Sequence, residues 1–357
     1  MNIAHTADFH YGARQYGMPD REHDFYEAGH RVFDNAIASR VNVIILAGDI
    51  FDIPKPSAAT VKVLKDDVDR ARAAGIMVLG IDGNHDVAGG DWLRVCGAQV
   101  LSTEPIALDG IFFAGIPSCR PTVFRATLAD MAAAGVKCDV LVIHQAIAEM
   151  ADFGTELSVM DILPPLQAMG VRYCAMGDIH NYREMVVGGV RFCYPGSPEL
   201  TARDERPDKS MELIDISATT LKTFMMPLTT RPFLELQIRQ QADIDTVLAK
   251  AQQQPKPLLL LWYEPADKEL AQRAEAVLDG KALYRMCPLS KGGAVALVQQ
   301  MQKDGVDRRG ALEKLREAIA TYFEAGSEQY ELVLQFLKQP DLTGQIIRQY
   351  LVTKGVS

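Results

Sequence analysis

The chain lacks the marks of several large protein classes. No apolar run approaches the roughly 18 residues that a membrane-crossing helix needs, so no span of a bilayer is expected. The opening Met1-Asn2-Ile3-Ala4-His5-Thr6 has no basic segment ahead of an apolar one, which argues against a secretory leader. Six cysteines (Cys96, Cys119, Cys138, Cys174, Cys193, Cys287) are scattered without one C-x-x-C pair. That pattern argues against a disulfide framework and a cysteine-ligated zinc site, and points to free thiols in a reducing cytoplasm. A basic surplus is missing too: the net charge is -9, which weighs against a general nucleic-acid binder. Two bound divalent cations would offset about four negative charges locally, so this total does not exclude DNA.

The 357 residues exceed one comfortable core, and two or three domains are expected. The first part of the chain alternates strand, turn and helix. Strands are expected at 3–6, 41–47, 76–81, 100–101, 106–108, 111–116, 139–143 and 172–176, and helices at 21–39, 57–74 and 121–134. The continuous apolar run 41–47 reads as a strand buried on both faces. Ser57 is the expected N-cap of a helix that Gly75 stops. A meander follows at 186–187, 190–194, 211–216 and 221–226, with a tight turn at Gly188-Gly189. The fold class is α/β, a layered domain with helices packed on sheets. A boundary is expected near Thr229 to Pro232, then a small α/β unit and amphipathic helices. The expected domains are 1–230, 231–292 and 293–357.

Five expected strand ends run into hard metal ligands: Asp8-Phe9-His10, Asp49-Ile50-Phe51-Asp52, Asn84-His85-Asp86, His144-Gln145 and Asp178-Ile179-His180. Ligand sites in open α/β sheets gather beyond the carboxyl ends of strands, so five such ends would form one polar pocket. Two ligating residues separated by one apolar residue point the same way in extended backbone, with Phe9 and Ile179 turned to the core. Gly48, Gly83 and Gly177 each precede a candidate ligand, where a missing Cβ permits close approach. Of seven histidines, four (His10, His85, His144, His180) lie in these clusters and none follows His180. His5, His23 and His30 read as structural. Oxygen and imidazole donors at strand ends suit Mn²⁺, Fe²⁺ or Zn²⁺.

The order Asp-x-His, Gly-Asp, Gly-Asn-His-Asp, His, Gly-x-x-His resembles the calcineurin-like metallophosphoesterase superfamily, whose domain packs two sheets between flanking helices. Within it, Gly48-Asp49-Ile50-Phe51-Asp52, Gly83-Asn84-His85-Asp86 and Tyr194-Pro195-Gly196-Ser197 are similar to the SbcD-type nuclease subunit of double-strand-break repair complexes. The resemblance covers about residues 1–210 and implies a small α/β capping domain and a partner-binding tail downstream. It implies that Asp8, His10, Asp49 and His180 hold one metal, and that Asp49, Asn84, His144 and Asp178 hold another. His85 would act as general acid, oriented by Asp86. The family has Gly-His-x-His where this chain has Gly177-Asp178-Ile179-His180. A carboxylate at 178 is expected to coordinate and to favour Mn²⁺ or Mg²⁺; the alternative is a weak second site.

The implied activity is a Mn²⁺-dependent DNA exonuclease/endonuclease using a two-metal mechanism. Its implied partners are DNA, an SbcC-like coiled-coil ATPase and, as one assembly it allows, a second copy as homodimer. Tyr11, Arg14, Arg120, Arg125, Ser197 and Arg203 are candidate DNA contacts, with Arg206 and Lys209 near the last of them. Apolar stripes at Leu312, Leu315, Ile319 and at Leu332, Val333, Phe336 would clasp the ATPase, or pack on the cap. Two other readings stand beside this one: a stand-alone metallophosphodiesterase or phosphatase for small nucleotides, and a non-catalytic scaffold with a degenerate second metal site.

Overall fold

The computed structural model describes residues 1–86, 91–203 and 205–289. The expected C-terminal helices lie outside the described residues. The chain divides into two compact units, the first made of Met1–Ala151, Thr155–Leu234 and Lys250–Leu258.

In chain order the first unit runs β1 (Asn2–Thr6), α1 (Pro19–Ala38), β2 (Val43–Ala47), α2 (Ala58–Ala73), β3 (Met77–Ile81), α3 (Trp92–Val95), β4 (Gln99–Val100), β5 (Ile106–Leu108), β6 (Ile111–Ile116), α4 (Pro121–Ala133), β7 (Val140–His144), α5 (Val159–Met169), β8 (Tyr173–Gly177), β9 (Arg183–Val187), β10 (Val190–Tyr194), β11 (Lys209–Ile216) and β12 (Leu221–Leu228). These strands form two six-stranded sheets, ordered β12-β11-β1-β2-β3-β4 and β5-β6-β7-β8-β10-β9. β1, β2, β3 and β4 run parallel, as do β6, β7, β8 and β10; antiparallel strands close every edge but that of β4.

The apolar run in β2 shows why the sheets stack. Its period of two sends Val43, Ile45 and Ala47 into the core between the sheets, with Leu79, Phe113, Val142 and Ala175. Ile44 and Leu46 face the other way, against Val32, Phe33, Leu64 and Val68 of α1 and α2. On the far side, α4 and α5 cover the second sheet through Phe124, Leu128, Ile162 and Leu166. The expected two-sheet α/β architecture is thus present.

Capping followed expectation at α2, where the Ser57 side chain accepts from the Thr60 N–H. Helix α5 was not expected, because Pro164 and Pro165 lie inside it and cannot donate to the carbonyls one turn back. A capping box between Ser158 and Asp161 holds its first turn. Buried Ile162, Leu163, Leu166 and Met169 anchor it.

The remaining elements are β13 (Phe233–Ile238), α6 (Gln241–Ala251), β14 (Leu258–Tyr263), α7 (Lys268–Leu278) and β15 (Leu283–Pro288), with sheet order β13-β14-β15, most of whose residues belong to the second unit. The small α/β pattern read from the sequence matches these elements in type and order.

Candidate metal centre

Because the core strands of each sheet are parallel, their carboxyl ends lie on one rim. The carboxyl end of β7 and the loops after β1, β2, β3 and β8 therefore bring Asp8, His10, Asp49, Asn84, His144, Asp178 and His180 together. Asp8, Asp49 and His144 offer donor atoms within 4.8 Å of one another, as do Asp8, His10 and His180, and also His10, Asp52 and His85.

The convergence at the strand ends is as expected, but extended backbone was the expected reason that Asp8 and His10, and Asp178 and His180, point the same way. The structure corrects it: Asp8, His10, Asp49 and Asp178 sit at φ of +56°, +49°, +50° and +100°. Left-handed conformations at residues other than glycine cost about 1–3 kcal/mol each and persist only where surroundings enforce them. Here the enforcement is visible. The first two loops continue the ladder beyond their strands, with Asp8 N–H donating to Gly48 O at 3.0 Å, His10 N–H to Asp49 O at 3.1 Å and Tyr11 N–H to Ile50 O at 2.9 Å. The outcome expected for the intervening residues still holds: Phe9 and Ile179 are buried in apolar clusters.

All three glycines fit the close approach expected of them: a Cβ at Gly48 would stand 2.4 Å from His144 Nδ1. A Cβ at Gly83 would stand 2.1 Å from Asp49 Oδ1, and one at Gly177 would stand 2.1 Å from Ala47 O.

Asp86 was expected to orient His85, and the structure gives it other partners. Its carboxylate accepts from the backbone N–H groups of Ile50 (3.1 Å), Phe51 (2.9 Å) and Gly83 (2.9 Å). It fastens the second loop to the third. The His85 ring is held instead by its Nδ1–H, which donates to Asp52 O at 2.7 Å, and the His85 N–H donates to Asp49 Oδ1 at 2.8 Å.

The donor set fits cations, and hydrogen bonding shows why. His144 donates Nδ1–H to Ala47 O at 2.8 Å, which leaves Nε2 as an acceptor. That nitrogen faces Asn84 Oδ1 at 3.0 Å, Asp49 Oδ2 at 3.4 Å and Asp178 Oδ1 at 3.9 Å. His10 and His180 turn Nδ1 toward Asp52 (3.4 Å) and Glu205 (2.9 Å), and their Nε2 atoms stand 3.2 Å apart. Acceptors aimed at one another, those of His10, Asp49 and His144 on buried residues, need positive charge between them. In protein alone that field draws protons. Burial opposes charging His10, yet the Asp52, Asp49 and Asp8 carboxylates push it up to about 9. His144 is raised well above its usual value against the same burial, by Asp49, Asp8 and Asp178. Burial would raise the Asp49 carboxyl, but His144, His10 and His85 hold it far below the carboxylate range. Cations would take the place of these protons.

Around these side chains lies a layer in which the sequence reading missed Glu205 and misplaced Lys209 and Ser197. Glu205 accepts from His180, and the ammonium of Lys209 donates to Glu205 at 2.5 Å, to His180 O at 2.8 Å and to Ser197 Oγ at 3.0 Å. Burial would raise the Glu205 carboxyl, but Lys209 and His180 hold it well below its usual range. Lys209, expected among surface cations, has a side chain only 1% exposed.

Two candidate DNA contacts are also corrected. Tyr11 is fully buried, its hydroxyl donating to Asp67 Oδ2 at 3.1 Å, because α1 passes directly over it at Gly29. Ser197 is fully buried and donates to Glu199 O at 2.7 Å. Arg14, Arg120 and Arg203 are exposed and Arg125 is half-buried. Arg14 pairs with Glu22, and Arg125 donates to Glu156 O at 3.0 Å.

Residues 1–219 match the calcineurin-like phosphoesterase superfamily domain. The chain belongs to that superfamily and is a metal-dependent phosphodiesterase. The SbcD-type resemblance read from the motifs is borne out by similarity to DNA double-strand break repair proteins named Mre11. That of Saccharolobus solfataricus is 25% identical over 388 residues, covering 98% of each chain. That of Haloferax volcanii is 29% identical over 68% of this chain and 55% of its own, so this chain spans about half its length. Among solved structures, a dimetal phosphatase from Danio rerio is similar over 64% of this chain and 96% of its own, at 10% identity and a TM-score of 0.46.

Proposed function

We propose that the chain is a DNA nuclease that hydrolyses phosphodiester bonds with two divalent cations, Mn²⁺ foremost, and processes DNA ends beside an SbcC-like coiled-coil ATPase. The observation that carries the reading is the ring of facing acceptors, its Asp8, His10, Asp49 and His144 buried, drawn from five strand ends of two sheets. Similarity to Mre11 across nearly the whole of one relative supports DNA as the substrate.

Asp8, His10, Asp49 and His180 would hold one cation, and Asp49, Asn84, His144 and Asp178 the other, with Asp49 shared. When bound, the pair supplies Lewis-acid stabilisation of charge on the phosphate. His85 stands at the rim, with its side chain 37% exposed and Nδ1–H committed to the Asp52 carbonyl. Its protonated Nε2 would donate to the leaving oxygen. Asp86 contributes indirectly, by fixing the loops that carry Asp49 and His85. Arg14, Arg120, Arg125 and Arg203 would meet DNA phosphates from the surface.

We assign residues 1–230 to the nuclease domain, 231–292 to the cap and 293–357 to the partner-binding region, which lies outside the described residues. A homodimer is compatible with this assignment. Among the described residues no helix is long and apolar enough to cross a membrane.

The test offers the chain, with Mn²⁺, a linear duplex, a single strand and bis-p-nitrophenyl phosphate. Hydrolysis of the duplex or strand is expected, while turnover of the small ester alone would overturn the DNA reading. Asp178→His should keep or raise activity; unchanged metal binding in that variant would place residue 178 outside the coordination sphere.

A further inference from the structure

The three imidazoles of the centre, His10 and His144 buried and His180 half-buried, are oriented in different ways. His144 leans on a backbone carbonyl, and His10 on Asp52. His180 alone meets a carboxylate that carries its own buried counter-charge. Glu205 is 9% exposed at its side chain and Lys209 1%; Glu205 was not singled out in the sequence, and Lys209 was read there only as a surface cation near candidate DNA contacts.

We propose that Glu205, held by Lys209 and Thr201, is a positioning residue that fixes the tautomer and orientation of His180. Three contacts define the arrangement. His180 Nδ1–H lies 2.9 Å from Glu205 Oε1 and 2.6 Å from Thr201 Oγ1. The Thr201 hydroxyl donates to Glu205, so its remaining lone pairs accept from the ring. The Thr201 N–H donates to Glu205 Oε2 at 3.1 Å, which fixes the other oxygen. With its proton held at Nδ1, His180 presents only a lone pair at Nε2, the atom turned toward His10.

Lys209 anchors the same residue from the other side. Its ammonium grips the His180 carbonyl as well as Glu205, so ring and backbone are clamped together. The clamp also spans the two sheets, since Lys209 opens β11 of the first and His180 follows β8 of the second. A carboxylate hydrogen-bonded to a ligating histidine fixes the ring and raises its basicity, and losing such a partner weakens metal binding about 10–100-fold.

This inference rests on the reading of His180 as a ligand, and the experiment separates the two. Mn²⁺ binding is measured by titration of metal-free protein, and the His180 tautomer by long-range ¹H–¹⁵N correlation of histidine-labelled protein without metal. In the parent, His180 is expected with Nδ1 protonated and Nε2 bare. Glu205→Gln should mix the tautomers, because an amide can donate to Nδ1, and should weaken one class of Mn²⁺ site about 10–100-fold. Glu205→Asp should recover part of that loss. If Glu205→Gln does not fold with Lys209 left uncompensated, the double variant Glu205→Gln with Lys209→Met removes both charges and is read the same way. An unchanged tautomer together with Mn²⁺ affinity within about threefold of the parent would overturn the inference. His180→Asn decides the underlying reading: if it binds two Mn²⁺ ions as the parent does, His180 is no ligand. If it loses an ion while Glu205→Gln loses none, only the positioning role falls.

Discussion

Asp86→Asn discriminates between an electrostatic partner for His85 and a fastener of loops. Asp86 Oδ2 accepts two N–H groups, from Ile50 and Gly83, while Oδ1 accepts one, from Phe51. An asparagine keeps a single acceptor oxygen. Placed at the doubly bonded position, that oxygen retains two contacts and turns its amide toward the Phe51 N–H, donor against donor. The loss is one charge-assisted bond and one buried N–H without a partner. Hydrogen bonds to charged groups contribute about 1.5–3 kcal/mol, and a stranded buried donor costs about 1–3 kcal/mol, partly counting the same loss. A destabilisation of about 2–4 kcal/mol is expected. For a unit of this size each kcal/mol moves Tm by about 2–4 °C, so a drop of about 4–16 °C follows. The assay is calorimetry of metal-free parent and variant, paired with Mn²⁺ binding, which should also weaken because the Asp49 and Asn84 loops share this fastening. A variant with parental Tm and parental Mn²⁺ affinity but lost cleavage would refute the reasoning and return Asp86 to His85.

Three further outcomes follow from the same geometry. His85→Ala should abolish DNA cleavage while two Mn²⁺ ions per chain remain by elemental analysis; loss of metal would make His85 a ligand. Tyr11→Phe removes the bond to buried Asp67, so denaturation should show a loss of about 1.5–3 kcal/mol with DNA affinity unchanged, and weaker DNA binding would return Tyr11 to the interface. Glu212 is buried on β11 with Oε2 unpartnered, and burial pushes its carboxyl up to about 7. Between the unfolded value and about 7 the folded state binds more protons, so stability falls as pH rises through that window, by up to about 3 kcal/mol. Glu212→Gln should flatten this slope between pH 5 and pH 8 in denaturation of metal-free protein; parallel slopes for the two proteins would sink the assignment.

The parts legible in the sequence were those with a local cause. The run in β2 has both faces buried, so every residue in it is apolar, and its length and Gly48 mark where it ends. Ligand residues were legible because strand ends of one polarity must share a rim. Helix α5 was hidden by Pro164 and Pro165, since two missing donors outweigh apolar spacing until the packing against β8 and β10 is known. Tyr11 was misjudged for a different reason. An aromatic beside ligands looks available for stacking, and only the passage of Gly29 over its ring buries it. Glu205 and Lys209 resemble any surface pair four residues apart; their burial depends on a loop from the other sheet.

The facing acceptors are contributed by both layers of the sandwich: His10 and Asp49 by one, His144 and His180 by the other. A slide of one sheet across its partner therefore changes the separations between donors by up to the same distance. At 3.2 Å between the Nε2 atoms of His10 and His180, an ångström is a large fraction of the gap. Misplacement on that scale lowers rates by about a hundredfold in enzymes generally. The apolar seam between the sheets thus acts as a gauge block for the hydrolytic centre, and a cavity cut at Val142 or Phe113 would register there as misalignment before it registered as unfolding.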